Sequence, residues 1–302
     1  MSETETQLDQ LVVAVLKSPK YRNVCEELVR HIGRRELAVR RSTREALKAT
    51  KNKLHQVGSA YFEARIDYAR ALEELAQASA FGDRAVLRQV CQKWMAKHSS
   101  TQERIEILDQ FYATTLAGIR PLRVVLDVAC GLNPLSIPWM SLDEGATYYA
   151  YDVYTGLVRF IQDALPLLGV QGQAQPCDVI QSPPGQAADL ALILKAIPCL
   201  EQVDKTAGGR LLEAIRAHHL LVSFPVHSLG GRSKGMVENY EARFRELVRG
   251  QPWSIQRFEF ATELAFLITK RGTQVAPGDG GQSRVKGEGH PKGEGAPKRY
   301  AD

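Results

Sequence analysis

The 302-residue sequence lacks the features of membrane-inserted and disulfide-bonded proteins. No apolar run approaches the ~18 residues that a membrane-spanning helix needs, and the polar, acidic residues 1–10 predict no signal peptide. The five cysteines are scattered without a C-x-x-C pair, which favours reduced thiols over disulfides or a zinc site. The seven histidines show no H-E-x-x-H spacing, so we expect a cytoplasmic protein that binds no metal and contacts no membrane.

A dinucleotide-binding fingerprint is also missing. Residues 124–134 (VVLDVACGLNP) predict a buried strand that runs into a turn of small residues, but Gly131 is the only glycine in that turn. A pyrophosphate cradle would need G-x-G-x-x-G. Asp152 ends a second apolar run about 20 residues further on, where an acid contacts the ribose in nucleotide-binding sheets. The pattern predicts a nucleoside-like ligand without a pyrophosphate, and the alternative is a plain strand and turn.

Acidic residues are scarce in one part of the chain, although the net charge is only +5. Between Arg30 and Lys53 there are nine lysines and arginines against two glutamates, a balance of +7. A solvated helix face usually carries charges of both signs, so this segment indicates a polyanionic partner. The alternative is an ordinary basic surface helix.

Apolar residues at helical spacing predict an all-helical region over residues 1–117. Proline, serine and glycine divide this region into separate helices. The sequence predicts a first helix that ends before Ser18-Pro19, a second from Val24 to Ile32, a third that begins after Ser42, and others over residues 61–80, 85–96 and from Ser100 onward.

After Pro121 the pattern changes to short apolar runs separated by helical or loop segments, which predicts an α/β fold with a mostly parallel sheet. The last two runs are joined by two residues, so they predict an antiparallel hairpin at one edge of the sheet. From residue 273 onward glycine, proline and charge predominate, and we expect residues 273–302 to be a disordered tail. The predicted strands are 123–128, 147–151, 173–178, 189–197, 219–224, 255–260 and 263–270.

Four further segments place reactive or charged residues at the ends of predicted elements. Residues 98–104 (HSSTQER) start a helix, where hydroxyls, free N–H groups and an arginine can hold a carboxylate. Asp178 follows the third run and can accept from an exocyclic amine, Lys195 ends the fourth run, and residues 223–236 are a strand end with a glycine-rich basic loop. Each has a structural alternative when taken alone, such as a surface turn for Asp178 or a snorkelling side chain for Lys195.

Together these motifs resemble the aminoglycoside-resistance 16S ribosomal RNA methyltransferases that modify N7 of guanine 1405. The resemblance covers roughly residues 11–271. Its two longest motifs are D-x-A-C-G-L-N-P and S-F-P-x-x-S-L-G-G-R-x-K-G-M. The segments that carry it are Leu16 to Arg22, His98 to Arg104, Asp127 to Pro134, Asp189 to Lys195 and Ser223 to Met236.

The resemblance implies a Rossmann-like methyltransferase sheet with an antiparallel edge strand, over residues 118–272, that binds S-adenosylmethionine. The helical residues 1–117 would form an RNA-docking domain, and the partner would be 16S rRNA in the 30S subunit. We expect a monomer, because no long apolar helix face is left uncommitted.

The resemblance also implies a set of cofactor contacts. Residues at the start of the helix would meet the methionine end, Asp152 the ribose hydroxyls, and Asp178 with Val179 the adenine. Val203 departs from the family pattern, and Gln202 would supply the polar contact instead. The implied contacts are Tyr61, His98, Ser100, Thr101, Arg104, Ala129, Gly131, Asp152, Asp178, Val179, Leu194 and Gln202.

Three basic residues would act at the target base. Lys195 would lie between cofactor and guanine, while Arg232 and Lys234 would grip the RNA. N7 of guanine carries no proton, so the transfer needs no general base and depends on placement. The implied RNA contacts in the basic segment are Arg34, Arg35, Arg40, Arg41 and Lys48.

Two other functions remain open from the sequence. One is a methyltransferase that acts on another rRNA position or on a small molecule. The other is a non-catalytic RNA-binding protein with the same fold, against which the retained Arg104, Gly131 and Asp152 argue.

Overall fold

The N-terminal residues form three helices that pack on one another. The computed structural model describes residues 3–58, 66–226 and 235–270, and its first helices are α1 (Glu3–Leu16), α2 (Glu26–Val39) and α3 (Thr43–Gly58). Ser42 Oγ accepts the Glu45 N–H at 3.3 Å, which confirms the predicted cap of α3. Helices α1 and α2 approach so closely that a Cβ on Gly33 would lie 2.8 Å from Leu11.

Four more helices precede the first strand in the described part of the chain: α4 (Tyr68–Phe81), α5 (Arg84–Met95), α6 (Ser99–Gln102) and α7 (Leu108–Thr115). The prediction of one helix over residues 61–80 was wrong at its start. Residues 66 and 67 are not helical, because the Asp67 carboxylate caps α4 by accepting the Arg70 N–H at 3.1 Å. Residues 61–65 lie outside the described residues.

The predicted helix from Ser100 onward is interrupted. The short α6 ends at Gln102, and a 3₁₀ turn over Ile105–Ile107 separates it from α7. Between them Arg104 turns into the interior, where 1% of its surface is exposed.

Seven strands form one mixed sheet and confirm the predicted fold class. Strands β1 to β5 are parallel, β7 pairs antiparallel with β5, and β6 pairs antiparallel with β7 at the edge. The spatial order is β3-β2-β1-β4-β5-β7-β6. The strands are β1 (Val124–Val128), β2 (Thr147–Asp152), β3 (Gln171–Pro176), β4 (Ala188–Leu194), β5 (Ala217–Pro225), β6 (Ser254–Glu259) and β7 (Glu263–Thr269).

Both faces of the sheet are buried along its central strands, whereas the edge strands β3 and β6 are mostly exposed. Along β4, Ala191 and Ile193 belong to the core that includes Val29 of α2, whereas Leu190 and Leu192 belong to the core on the other side. This alternation is the period of two that a strand imposes on its side chains. Each buried leucine or isoleucine stabilises the fold by about 1.5–3 kcal/mol.

Strand order reverses at β1, whose neighbours are β2 on one side and β4 on the other. In open α/β sheets ligands bind at such a switch point, beyond the carboxyl ends of the strands. The described residues also form helices α8 (Thr155–Ala164), α9 (Ile197–Val203), α10 (Ala207–Ala214) and α11 (Met236–Leu247) and 3₁₀ segments over Asn133–Trp139 and Pro166–Leu168.

No helix within residues 3–58, 66–226 and 235–270 combines the length and apolarity needed to span a membrane. The division of the chain at residue 117 stays a prediction. The predicted tail, residues 273–302, lies outside the described residues.

Candidate active site

The turn after β1 forms the floor of a cleft. Ala129 and Gly131 both have positive φ, 54° and 51°, a backbone conformation that L side chains rarely adopt. A Cβ on Gly131 would lie 2.9 Å from Cε1 of His98, so only glycine fits. The Gly131 N–H donates to Asp152 Oδ2 at 2.9 Å, which ties the turn to the end of β2.

The cleft, of about 720 Å³, opens at the carboxyl ends of the parallel strands. Its lining is largely apolar, with residues such as Leu28, Val179 and Leu200, and it includes two aspartates, Asp152 and Asp178. Eight of the cofactor residues expected from the sequence line it: His98, Ser100, Ala129, Gly131, Asp152, Asp178, Val179 and Leu194.

Thr101, Arg104 and Gln202 do not line the cleft. Thr101 is buried beneath it, with Oγ1 donating to the Met95 carbonyl at 2.7 Å. Gln202 is exposed, and its carbonyl accepts from Lys53 Nζ at 3.0 Å. Because successive residues of a helix turn by about 100°, the next residue of α9, Val203, faces the cleft instead. Tyr61, Arg232 and Lys234 lie outside the described residues.

The two aspartates in the cleft are almost fully buried. Asp152 accepts from the N–H of Gly131 and, at 3.1 Å, from that of Tyr154. Burial raises the pKa of Asp152, and these backbone hydrogen bonds oppose the shift. Asp178 accepts the Ile180 N–H at 3.1 Å and contacts His31 Nδ1 at 2.8 Å.

A buried ion-pair network lies behind the cleft. Glu263 accepts two hydrogen bonds from Arg104, at 2.9 and 2.6 Å, and lies 3.4 Å from Lys195 Nζ. Lys195 itself has φ 57°, is 5% exposed, and donates to Glu103 at 2.6 Å and to the Ser100 carbonyl at 3.1 Å. Burial opposes ionisation of Glu263, but the two cations outweigh it and hold its pKa below the ordinary value.

Sequence reasoning missed Glu263. It is the only charged residue in the apolar strand ELAFLIT and is fully buried, and an ionisable residue in such a run needs a buried partner. This signal pointed to an ion pair, although not to the partner 159 residues away.

The network continues into the motif that follows β1. Asn133 Oδ1 accepts from Arg104 at 2.8 Å, and Asn133 Nδ2 donates to Asp127 at 2.9 Å. Tyr148 also donates to Asp127, at 2.6 Å. Burial raises the pKa of Asp127 to about 7. The carboxylate of the D-x-A-C-G motif therefore positions the turn from behind and does not face the cleft.

His98 stays neutral at neutral pH. Burial lowers its pKa to about 4, and the charges of Arg104 and Lys195 act in the same direction. Its Nδ1 lies 3.0 Å from Ser100 Oγ. The His98 ring and the Ser100 hydroxyl are therefore two uncharged polar groups of the cleft.

A family model described as ribosomal RNA methyltransferase (FmrO) matches residues 17–267. The chain belongs to this family. It is 35% identical to a 16S rRNA (guanine(1405)-N(7))-methyltransferase of Micromonospora echinospora, over 89% of this chain and 99% of the relative. A protein of the same name from Frankia casuarinae is also 35% identical, over 88% and 95%.

A solved structure shares the architecture. The 16S rRNA methyltransferase RmtF in complex with S-adenosyl-L-homocysteine superimposes with a TM-score of 0.71 and 31% identity, covering 89% of this chain and 99% of that one. The fold described above is therefore that of the FmrO family.

The basic segment of this FmrO-family protein lies on α2, on α3 and on the loop that joins them. We call its five implied RNA contacts, Arg34, Arg35, Arg40, Arg41 and Lys48, the docking surface; all are exposed. Arg34 lies 3.7 Å from Glu5, Arg35 donates to the Val203 carbonyl, and Arg40 pairs with Glu36.

Not every basic residue of the segment is available. Within the described ranges, Arg41 and Lys48 have no ion-pair partner. Arg30 is neutralised by Glu5, Asp9 and Glu26. No group of three potential ligands that could hold a metal ion occurs in the part of the chain the structure describes.

Proposed function

We propose that this chain transfers a methyl group from S-adenosylmethionine to N7 of guanine 1405 in 16S rRNA. The observation that carries the proposal is a cleft with the Gly131 turn and buried Asp152, in a chain that matches such an enzyme over 99% of that enzyme's length. The family match supports the reaction, and the lining of the cleft supports its proposed location.

The cleft fits an adenosyl group. Its apolar wall suits a planar base, and its carboxylates suit hydroxyl and amine donors. We assign Asp152 to the ribose hydroxyls and Asp178 with Val179 to the adenine. When bound there, S-adenosylmethionine supplies a methyl group that its sulfonium already activates.

The methionine end is assigned to His98 and Ser100, which line the cleft. Arg104 is already bound by Glu263 and Asn133. Its role is therefore to hold the region around the cleft, together with Glu263. A direct contact between Arg104 and the methionine carboxylate would require this network to rearrange.

The chemistry depends on placement. Guanine N7 has an in-plane lone pair and no proton to lose, so the chain needs only to hold it in line with the methyl group. We place Lys195 beside this base; because Glu103 and Glu263 bind its ammonium and it does not line the cleft, a direct contact with the base would require that pairing to change, while Arg232 and Lys234 grip the RNA. The N7 edge of A-form RNA faces a groove that side chains cannot enter, so the base must be extruded.

The docking surface would offset the cost of this extrusion by binding phosphates. We propose that the chain acts as a cytoplasmic monomer on 16S rRNA within the assembled 30S subunit. The added methyl group brings bulk and positive charge to the guanine edge. Expression should therefore protect bacteria against 4,6-disubstituted deoxystreptamine aminoglycosides such as gentamicin, while streptomycin keeps its effect.

Labelled S-adenosylmethionine tests the proposal. Wild-type protein should label 30S subunits, but not 50S subunits or naked 16S rRNA. Borohydride and aniline should then cleave the product at guanine 1405, where primer extension locates the break. Asp152→Ala should bind 30S subunits and transfer no label. A methyl group on N1 of adenine 1408, or labelled 50S subunits, would contradict the assigned target, and 30S binding without any transfer would indicate a non-catalytic protein.

A further inference from the structure

A histidine of the N-terminal helices contacts one of the carboxylates that line the cleft. His31 lies on α2, and its Nδ1 is 2.8 Å from Oδ2 of Asp178, 147 residues further along the chain. The contact is shielded, because the two side chains are 10% and 2% exposed. Asp178 also lines the cleft, so α2 contributes a polar contact to one of its two carboxylates.

The hydrogen bonds around His31 define what each atom does. The Gln181 amide nitrogen lies 3.2 Å from His31 Nε2. A carboxylate oxygen only accepts, so His31 carries a proton on Nδ1. Nδ1 therefore donates to Asp178 Oδ2, while the Ile180 N–H donates to Oδ1. Both oxygens of Asp178 are held, and each retains a lone pair for a further donor.

We propose that His31 is a positioning residue, which fixes the Asp178 carboxylate so that it accepts a hydrogen bond from the 6-amino group of the cofactor's purine. The proposal rests on the proposed function, which places the adenine beside Asp178. A carboxylate held from both sides recognises a donor without having to lose rotational freedom at the moment of binding. Without His31 only the Ile180 N–H would hold the carboxylate, and Oδ2 could turn away from the purine.

The chemistry predicts selectivity for the purine's 6-position. A 6-amino group donates to the carboxylate. A 6-oxo group is itself an acceptor, so it would face the carboxylate without a hydrogen bond. A site built around a hydrogen bond rejects an analogue that cannot make it. Loss of His31 should weaken this selectivity more than it weakens binding as a whole. A purely structural role would instead lower the affinity for both purines equally.

Isothermal titration with S-adenosylhomocysteine and S-inosylhomocysteine measures this selectivity. Wild-type protein should prefer the 6-amino ligand by roughly tenfold to a hundredfold, the value of one hydrogen bond to a charged group. His31→Phe keeps the ring but removes the donor, and its preference should fall to about threefold or less. His31→Asn places an amide N–H where Nδ1 was, and it should restore most of the preference.

Two further variants make the outcome decisive. Asp178→Asn can donate to a 6-oxo group and should lose or reverse the preference, while His218→Ala, a histidine away from the cleft, should keep it. If His31→Phe does not fold, His31→Ala replaces it. Wild-type preference in the folded His31 variants, or no preference in the wild type, overturns the proposal. Failure of wild-type protein to bind either ligand overturns the proposed function itself.

Discussion

The charged residues behind the cleft and those of the docking surface differ in how completely they are paired. Arg104 and Glu263 are 1% and 0% exposed and form two hydrogen bonds with each other. Arg34 is 61% exposed and lies 3.7 Å from Glu5, and Arg41 has no ion-pair partner among the described residues. The same type of side chain is thus fixed in one region and left available in the other.

The physical reason is the cost of removing a charge from water. A buried charge requires a partner with good geometry, because several kcal/mol of lost solvation must be offset. An exposed ion pair contributes about 0–1 kcal/mol, so an exposed cation can exchange water for a phosphate at little cost. Charge behind the cleft therefore fixes geometry, whereas charge on α2 and α3 is suited to binding RNA.

Removing one buried partner should give the largest effect. Glu263→Ala leaves Arg104 and part of the Lys195 contact uncompensated, and should lower the free energy of unfolding by about 3–5 kcal/mol. Urea denaturation measures it. Glu259→Ala is the matched control at the sheet edge, because its carboxylate is 53% exposed and pairs with Arg257; its effect should stay within about 0.5 kcal/mol. Equal losses in both variants would mean that burial does not distinguish the two regions.

A pH dependence should follow from His98. Its pKa is about 4 when folded and 6.5 ordinarily, so between these values the unfolded chain binds the proton and the folded chain does not. Stability should therefore fall as the pH drops from 6.5 to 4, by at most about 3 kcal/mol. His98→Gln should remove this part of the pH dependence. Parallel stability curves for variant and wild type over this range would contradict the assignment of His98 as a buried neutral group.

Local pattern predicted the sheet and the turn. Most strand positions follow from apolar runs, the terminal hairpin from its two-residue connection, and the cleft residues Gly131 and Asp152 from their spacing. The predicted bounds were wrong for β3, which begins two residues earlier, and for β4, which ends at Leu194 because α9 begins at Ile197. The start of α4 was predicted wrongly, although Asp67, a capping residue directly before the helix, could have indicated it. These features depend on residues that are close in sequence.

The partners of the site residues could not be predicted in this way. Asp178 is held by His31, 147 residues away, and Arg104 by Glu263, 159 residues away. Such pairs depend on how helices and strands pack, which no local period encodes. Gln202 shows the same limit over a shorter distance, because only the rotation of α9 decides that Val203 faces the cleft.

The smallest predicted effect compares paired and unpaired cations within the basic segment. Arg41→Gln and Lys48→Gln should each reduce the slope of log affinity for 30S subunits against log salt concentration by about one unit, because each removes one phosphate contact.

Arg30→Gln is the matched control on α2. The guanidinium of Arg30 is paired with Glu5, Asp9 and Glu26. Arg30 therefore displaces no counterion from RNA when the protein binds, and the Arg30→Gln variant should keep the wild-type slope. Filter binding between low and moderate salt measures all three, with cofactor affinity as a check that the cleft is intact. If Arg30→Gln flattened the slope as much as Arg41→Gln, the carboxylates around Arg30 would not be neutralising it, and the distinction between fixed and available charge would fail on this surface.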